Sequence, residues 1–427
     1  MRSSKKYLFG MGLLVMACRV QANEYPIGLE EVYQSALSVS NEYRALEQES
    51  RSAKALSDSE NKYYLPTLSL TSEWYQYYGA ETPDPEEEDT LKLNAEIKLW
   101  GSGVADKISA AGSNLEASQL LVFGESLSVY HTVLRYLAKI ERTRVFLADN
   151  ENIERRLKVY LEKQRNSSIE GASAMSSLKE AELEYSRFKD SVDRIRASID
   201  QMFRSLREET NYQTDYPRDV GISVAMLEQL LAQDIASITE MNIVQSNLEL
   251  RNRNLLLDYQ LKTAKAQRER FTVSLVNETQ FEVFGSDDWD SGETKTDSYI
   301  GFEATYDLFN YQNSQGQKSA YHLYDAESER VDLLRLQLIS QLNSLQKEFL
   351  DIKDKRESLM EQILLNEDLV TTQESELLID KLEYVDIVQS LSGLSSSYTT
   401  LLDYELSLID AVVDTMSLRS EKFASND

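Results

Sequence analysis

The chain predicts a mixed α/β membrane protein in which long helices carry four two-faced strands, arranged as an internal duplication. Three observations point there. Four segments of about 10 to 14 residues alternate apolar and polar side chains, the length a tilted strand needs to cross a bilayer. Helix-period apolar stripes fill most of the remainder, with only five prolines and fifteen glycines in 427 residues to interrupt them. A secretory-type leader opens the chain.

In that leader Arg2, Lys5 and Lys6 form a basic start, Tyr7 to Cys18 is an apolar run, and Val20-Gln21-Ala22 is a small-x-small cleavage site. The run is too short to span a bilayer as a helix, which takes about 20 residues. Residues 1–22 therefore read as a signal peptide cut after Ala22. Losing Arg2, Lys5, Lys6 and Arg19 and no acid takes the net charge from −27 to near −31. The stretch VMAC also resembles a lipoprotein signal, in which Cys18 would be lipidated, although Arg19 is unusual after such a cysteine. Cys18 is the only cysteine, so a chain cut after Ala22 has no thiol for a disulfide or metal site. No later segment has 18 consecutive apolar residues, so no transmembrane helix is expected. Such a chain is periplasmic, secreted or built as a β-barrel. Its negative charge argues against nucleic acid and against an anionic membrane surface.

The first strand is read at Pro66–Tyr78, with Leu68, Leu70, Trp74 and Tyr78 opposite Thr67, Ser69, Thr71 and Glu73. The second, Thr90–Trp100, sets Leu91, Leu93, Ala95, Ile97 and Leu99 against Lys92, Asn94, Glu96 and Lys98. The third, Phe271–Phe284, aligns Phe271, Val273, Leu275, Phe281 and Val283. The fourth, Tyr299–Phe309, sets Ile300, Phe302, Ala304, Tyr306 and Leu308 against Glu303, Thr305 and Asp307. Aromatics gather near the ends. The strands form two hairpins whose acidic loops, 81–90 and 286–297, suit a solvated and negative mouth. Half-buried strands of a soluble sheet alternate in the same way. Two matched pairs behind a leader favour the barrel.

The helices follow in order. Residues 104–165 carry no proline, so one helix could reach roughly 90 Å at 1.5 Å per residue. From Val331 the positions Leu334, Leu338, Leu342, Leu345, Phe349 and Ile352 step by three or four, a coiled-coil seam. Ile387, Leu391, Leu394, Tyr398 and Leu401 do the same in the last helix. The two halves match in sequence: Leu29–Ala36 parallels Leu227–Asp234, and each is followed by a hairpin and a long helix. The second half is seven residues longer before its first strand, one heptad, which would keep the apolar face in phase. Residues 23–220 and 221–427 thus read as two structural repeats, with hairpins at 66–100 and 271–309. Four strands close no membrane barrel, which starts at eight, so the chain must associate, as a dimer or a trimer.

At this point the mature chain resembles the TolC family of outer-membrane export ducts. The resemblance rests on Leu29-Glu30-Glu31, on Leu65-Pro66-Thr67-Leu68-Ser69-Leu70 entering the first strand, and on Leu99-Trp100-Gly101-Ser102-Gly103 leaving the second. It implies a homotrimer: a twelve-stranded outer-membrane β-barrel, four strands per chain, continued by a long periplasmic α-helical barrel of coiled-coil helices. It also implies a periplasmic adaptor (membrane fusion protein) and an inner-membrane pump of ABC or RND type as partners, outer-membrane lipid around the strands, and no cofactor. The implied function is a passive exit duct in multidrug efflux or type I protein secretion.

The family's helix-hairpin turns form a periplasmic tip. The first resembles Gly171–Glu182, with Ser177 where Asp is common, and the second Leu377–Gln389. The resemblance makes Asp386 an acidic constriction, with Asp380 in place of the usual Gly and Gln389 where a second ring acid can occur. Gly171, Ser177, Lys381 and Tyr384 become adaptor-docking positions. Leu382 lies where an arginine tethers the closed tip in the best-known member, which puts that tether in doubt. Independently, Asp386 reads as a solvated helix-start acid favoured by the dipole.

No catalytic constellation is legible. His131 and His322 stand alone in helix-pattern sequence, and no nucleotide or nucleophile motif is present. A periplasmic coiled-coil scaffold without a membrane barrel is the alternative. An exported enzyme using a carboxylate pair has the least support.

Overall fold

The computed structural model describes residues 27–77, 86–212, 220–267, 271–284, 296–307, 310–377 and 383–423. The leader, Cys18, Asp380, Lys381, Leu382, residues 81–85 of the first acidic loop and 286–295 of the second lie outside them. The described residues fall into two compact units. One lies within Met1–Arg44, Phe123–Leu248 and Arg335–Asp427, the other within Ala45–Val122 and Glu249–Leu334. Each unit thus draws on both halves of the sequence.

The element order is α1 (Leu29–Val39), α2 (Asn41–Asn61), β1 (Thr67–Tyr77), β2 (Glu86–Gly101), α3 (Val104–Ile169) and α4 (Met175–Thr210). It continues with α5 (Val224–Leu231), a 3-10 turn at Ile235–Ser237, α6 (Glu240–Ser246), α7 (Leu248–Ala266), β3 (Phe271–Phe284) and β4 (Thr296–Tyr306). The helices α8 (Tyr311–Leu377) and α9 (Tyr384–Arg419) complete it. Helix α3 runs 66 residues, past the 104–165 expected, and α8 runs 67. No helix among the described residues is long and apolar enough to cross a membrane.

The added heptad of helix before the third strand is not formed. Local caps break the segment instead. Ser223 caps α5 through Met226 N–H, Asp234 accepts from Ala236 N–H, and Thr239 with Asn242 forms a capping box at α6. Each side-chain oxygen offers the backbone an alternative to continuing the helix, so the extra residues go into the turn. Capping chemistry outweighs phase here.

The first unit is built around two apolar cores. One gathers Val32 and Ala36 of α1, Val133, Leu134 and Leu137 of α3, Leu206 of α4 and Ile409 of α9. The other gathers Leu157 of α3, Phe188 of α4, Val370 of α8 and Ile387 and Leu391 of α9. The seam residues Leu338, Leu342, Phe349 and Ile352 are buried as their spacing requires. Charged pairs flank them. Glu405 is buried between Arg142, which it contacts, and Arg356, whose Nε and Nη2 donate at 3.0 and 2.9 Å. Lys139 lies 2.6 Å from Asp410, one turn further along α9.

The second unit holds the sheet, in the order β1-β2-β3-β4 with every neighbouring pair antiparallel. Strand β3 has the expected bounds. Strand β2 begins at Glu86, inside the segment read as a loop, because the backbone of Glu86–Asp89 pairs with Trp74–Tyr77 whatever its side-chain charge. Strand β4 starts three residues earlier than read and ends at Tyr306, since Thr296–Ser298 pair with Thr279–Phe281; Leu308 and Phe309 lie outside the described residues. At the exit from β2, Gly103 adopts φ +103°, and a Cβ there would meet the Ala266 carbonyl oxygen at 2.7 Å. Both the left-handed backbone and the close approach demand glycine.

Candidate functional site: a two-faced sheet and two helix-hairpin tips

Antiparallel partners project to the same side of a sheet, so the register assigns every strand residue to a face. Leu68 faces Ala95 and Leu70 faces Leu93, while Ile97 faces Leu275, which in turn faces Phe302. Phe271 faces Tyr306 on the same side. The opposite side carries Thr71 across from Lys92, Asn94 across from Glu278, Lys98 across from Ser274, and Ser274 across from Glu303. A bulge between Lys98 and Trp100 takes up Leu99 and keeps Trp100 with Val273 on the apolar face. The alternation expected for each strand alone thus combines into one apolar and one polar surface. Asn277, Thr279 and Val276 break the pattern within β3.

The apolar face is left open, most of all on the edge strands, where the polar residues Thr71 and Glu303 are exposed too; the enclosed polar positions lie on the central strands. On the apolar face Leu68 is 72% and Phe302 78% exposed, whereas on the polar face Ser274 is 6% and Thr90 1% exposed. A soluble protein rarely shows so large a contiguous apolar patch without a partner for it. Aromatic rings line one end: Trp100 lies 5.4 Å from Phe271, and Phe271 lies 6.5 Å from Tyr306. The polar face is cross-linked by its own side chains. Lys92 pairs with Glu73 at 2.6 Å, Ser274 donates to Glu96 at 2.7 Å, and the Tyr299 hydroxyl donates to Glu278 at 3.1 Å. Its carboxylates, Glu73, Glu96, Glu278, Asp297 and Glu303, outnumber Lys92 and Lys98.

The first hairpin tip joins α3 to α4 in the first unit. Gly171 takes φ +77°, and Ala172 N–H and Gly171 N–H return to the carbonyls of Ser167 and Ser168 at 2.9 and 3.2 Å, closing α3 with a left-handed cap. Ser177 is the third residue of α4 and is half-buried. Beside the turn, Ile169 and Met175 are exposed.

At the second tip α9 begins with Tyr384. Asp386 is its third residue, and its carboxylate accepts the Glu383 backbone N–H at 3.1 Å in a capping box. The helix-start role read from the sequence is therefore formed. Gln389 is exposed and donates from Nε2 to Glu180 of α4 at 2.8 Å. Tyr384 lies beside Tyr160 of α3, with Lys163 Nζ 5.0 Å from the Tyr160 ring and 5.9 Å from that of Tyr384. The Tyr160 hydroxyl and Arg156 Nη2 both donate to Glu374 of α8, at 2.9 and 2.7 Å. Burial, then that carboxylate, pushes the Tyr160 phenol up to about 12. Ser392 donates to Glu184 at 3.0 Å. Arg156, Tyr160, Glu374, Glu180 and Glu184 escaped sequence reading because their partners lie some two hundred positions away. Among the described residues, no three His, Cys, Asp or Glu side chains are placed to hold a metal ion.

This architecture is a TolC-like fold, that of outer-membrane channels. The outer membrane protein VceC of Vibrio cholerae superposes with a TM-score of 0.67 at 16% identity, covering 93% of this chain and 97% of that one. The outer membrane channel CmeC of Campylobacter jejuni gives 0.69 at 14% identity over 92% and 85%. The open state of the Neisseria gonorrhoeae outer membrane channel MtrE gives 0.70 at 14% identity over 92% and 89%. No family model and no curated protein sequence matches the chain. The likeness is one of fold.

Proposed function

We propose that this chain is an outer-membrane exit duct: a homotrimer in which three four-stranded sheets close one twelve-stranded barrel, continued into the periplasm by its helices. The open apolar face of the sheet carries the reading. Apolar surface left in water costs roughly 25 cal/mol per Å² relative to burial, and lipid removes that cost. The Trp100–Phe271–Tyr306 row suits a membrane interface, and the polar face suits a water-filled lumen. Strands β1 and β4 are the edges of the sheet within one chain. Unpaired edge groups cost several kcal/mol each in hydrocarbon, so the edges must pair between copies. Residues 23–220 and 221–427 are read as the two repeats that supply one hairpin each.

Passage is passive and the duct is not an enzyme; an inner-membrane pump of ABC or RND type supplies the energy and selects the cargo, in efflux or in type I secretion. A periplasmic adaptor docks at the tip turns, at Gly171, Ser177, Lys381 and Tyr384. Asp386, with Gln389 and Asp380, forms the constriction. Three Asp386 carboxylates around one axis favour cations, and the capping bond to Glu383 fixes their direction.

The test is the native mass of the protein extracted in detergent from separated outer membranes. A trimer is expected. A monomer in the soluble periplasmic fraction would return the sheet to a membrane-free scaffold and overturn the duct. Single-channel recordings of Asp386→Ala then address the constriction: cation preference should fall, and an unchanged preference removes Asp386 from it.

A further inference from the structure

The C-terminal end of α9 is held by an arrangement that the duct reading does not use. Ser420 adopts φ +53°, one of two non-glycine residues with positive φ among those described. Glycine would take that conformation at no steric cost, while another L-residue is strained in it. The hydroxyl gives serine a compensating role: Ser420 Oγ accepts the backbone N–H of Leu248, the first residue of α7, at 3.0 Å. In return the buried Asn247 donates from Nδ2 to the Leu418 carbonyl at 2.9 Å. The end of α9 and the start of α7 cap each other. These are orphan backbone groups that an isolated helix leaves to water.

The next three residues fasten this joint to α1 and α3. His131 of α3 is buried, and its Nε2 lies 2.7 Å from the Glu421 carbonyl oxygen, so Nε2 carries the proton and donates. Lys422 Nζ sits 4.4 Å from the Tyr33 ring and 5.1 Å from the Tyr130 ring, between two rings in edge-to-face contact. Phe423 packs on the first apolar core, and its backbone N–H donates to the Tyr130 phenol oxygen.

We propose that residues 420–423 form an acid-releasable clasp, with His131 as its trigger and the start of α7 as the element it frees. The groups that act on His131 are Tyr130 and Arg135 of α3, Asp414 of α9 and the Glu421 carbonyl, and Tyr33 of α1 and Lys422 of the clasp lie beyond on the Tyr130 ring. Asp414 is already engaged by Arg135. A proton added to the imidazole therefore places a second cation beside Arg135, out of water. Burial holds the His131 pKa below its ordinary value, and Arg135 adds to that, against the Glu421 carbonyl and Asp414. With a lowered folded value, the stabilisation is complete above about pH 6.5 and is lost as pH falls through it toward the lowered value. The inference stands on the clasp alone and does not require the duct.

Hydrogen exchange on the full chain in detergent tests it, at about pH 7.5 and about pH 5, corrected for intrinsic exchange. Protection at Leu248, Glu421 and Phe423 should fall at least about tenfold on acidification in the wild type. His131→Gln, which retains an amide donor and does not titrate, should lose little. Equal protection at the two pH values, or the same loss in His131→Gln, overturns the trigger. Should that variant fail to fold, carboxypeptidase digestion of the wild type gives the answer: trimming past Phe423 should accelerate in acid relative to a free peptide of the same sequence, and an unchanged ratio overturns the clasp. Ser420→Gly should lose protection at Leu248 at both pH values; retained protection would show that the hydroxyl does not hold α7.

Discussion

In the helical cores Leu134, Leu157 and Leu391 are sealed from solvent, while on the sheet Leu68, Leu70 and Phe302 stand exposed to it. The charged groups divide the other way. Glu405 of α9 is buried between two arginines, and Lys92 pairs with Glu73 on the polar side of the sheet. One chain therefore follows two rules for apolar residues. The difference teaches that each region is matched to a different solvent: the helices pack leucine against leucine to exclude water, and among the described residues nothing covers Leu68, Leu70 or Phe302 of the sheet. A large uncovered apolar face on a chain of charge −27 is a specification of what surrounds it.

Substitutions on the two sides of this comparison should behave differently. The largest expected effect is at Glu405→Ala, which removes the buried carboxylate shared by the half-buried Arg142 and Arg356. A loss of about 3–5 kcal/mol is expected, read as a lowered unfolding midpoint of the detergent-extracted protein. Leu391→Ala should cost about 2–5 kcal/mol through the cavity it opens. Leu70→Ala on the sheet should leave the same midpoint nearly unchanged if lipid or detergent is its neighbour. A drop as large as that of Leu391→Ala would mean that protein covers the apolar face.

Phe302→Arg sharpens the contrast. At mid-bilayer an arginine costs about 2–4 kcal/mol, so the variant should accumulate outside the outer membrane. Glu303→Arg, one residue on and on the other face, should insert normally and shift ion preference toward anions. Equal insertion of both variants would break the two-faced reading. Among the substitutions expected to destabilise, the smallest effect is at the tip. Asp386→Ala removes one partner of the α9 capping box, at a cost of typically about 1 kcal/mol, and hydrogen exchange should show it as fraying confined to the first turn of α9.

Much of the sheet was legible in the chain because alternation is a local property. Phe271–Phe284 could be bounded correctly from its own residues, since Phe271, Val273 and Leu275 alternate with threonine, serine and valine without reference to any partner. The ends of β2 and β4 were not legible, because backbone pairing continues for as long as a partner strand is present, and Glu86–Asp89 look like loop until Trp74–Tyr77 are set beside them. The added heptad misled for a related reason. Seven extra residues were read as one heptad of continuous helix, where in fact Asp234 and Thr239 cap. The candidate site was legible in part. Asp386 could be recognised as a helix-start acid, whereas the bond from Gln389 to Glu180 and the joint donation of Arg156 and Tyr160 to Glu374 had no signal in either segment alone.

By itself, then, the sequence determined the periods: two in the strands, three and four along α8 and α9, and the glycines at Gly103 and Gly171 where the backbone turns left-handed. These are consequences of steric geometry within a few residues of each position. Only the tertiary structure decided which arginines meet Glu405, how Ser420 comes to cap a helix 172 positions away, and that the greasy side of the sheet is the side left open. Such pairings depend on where distant segments come to rest. Burial and charge pairing are set by whatever packs against a residue, and nothing in a residue's own neighbourhood along the chain specifies that.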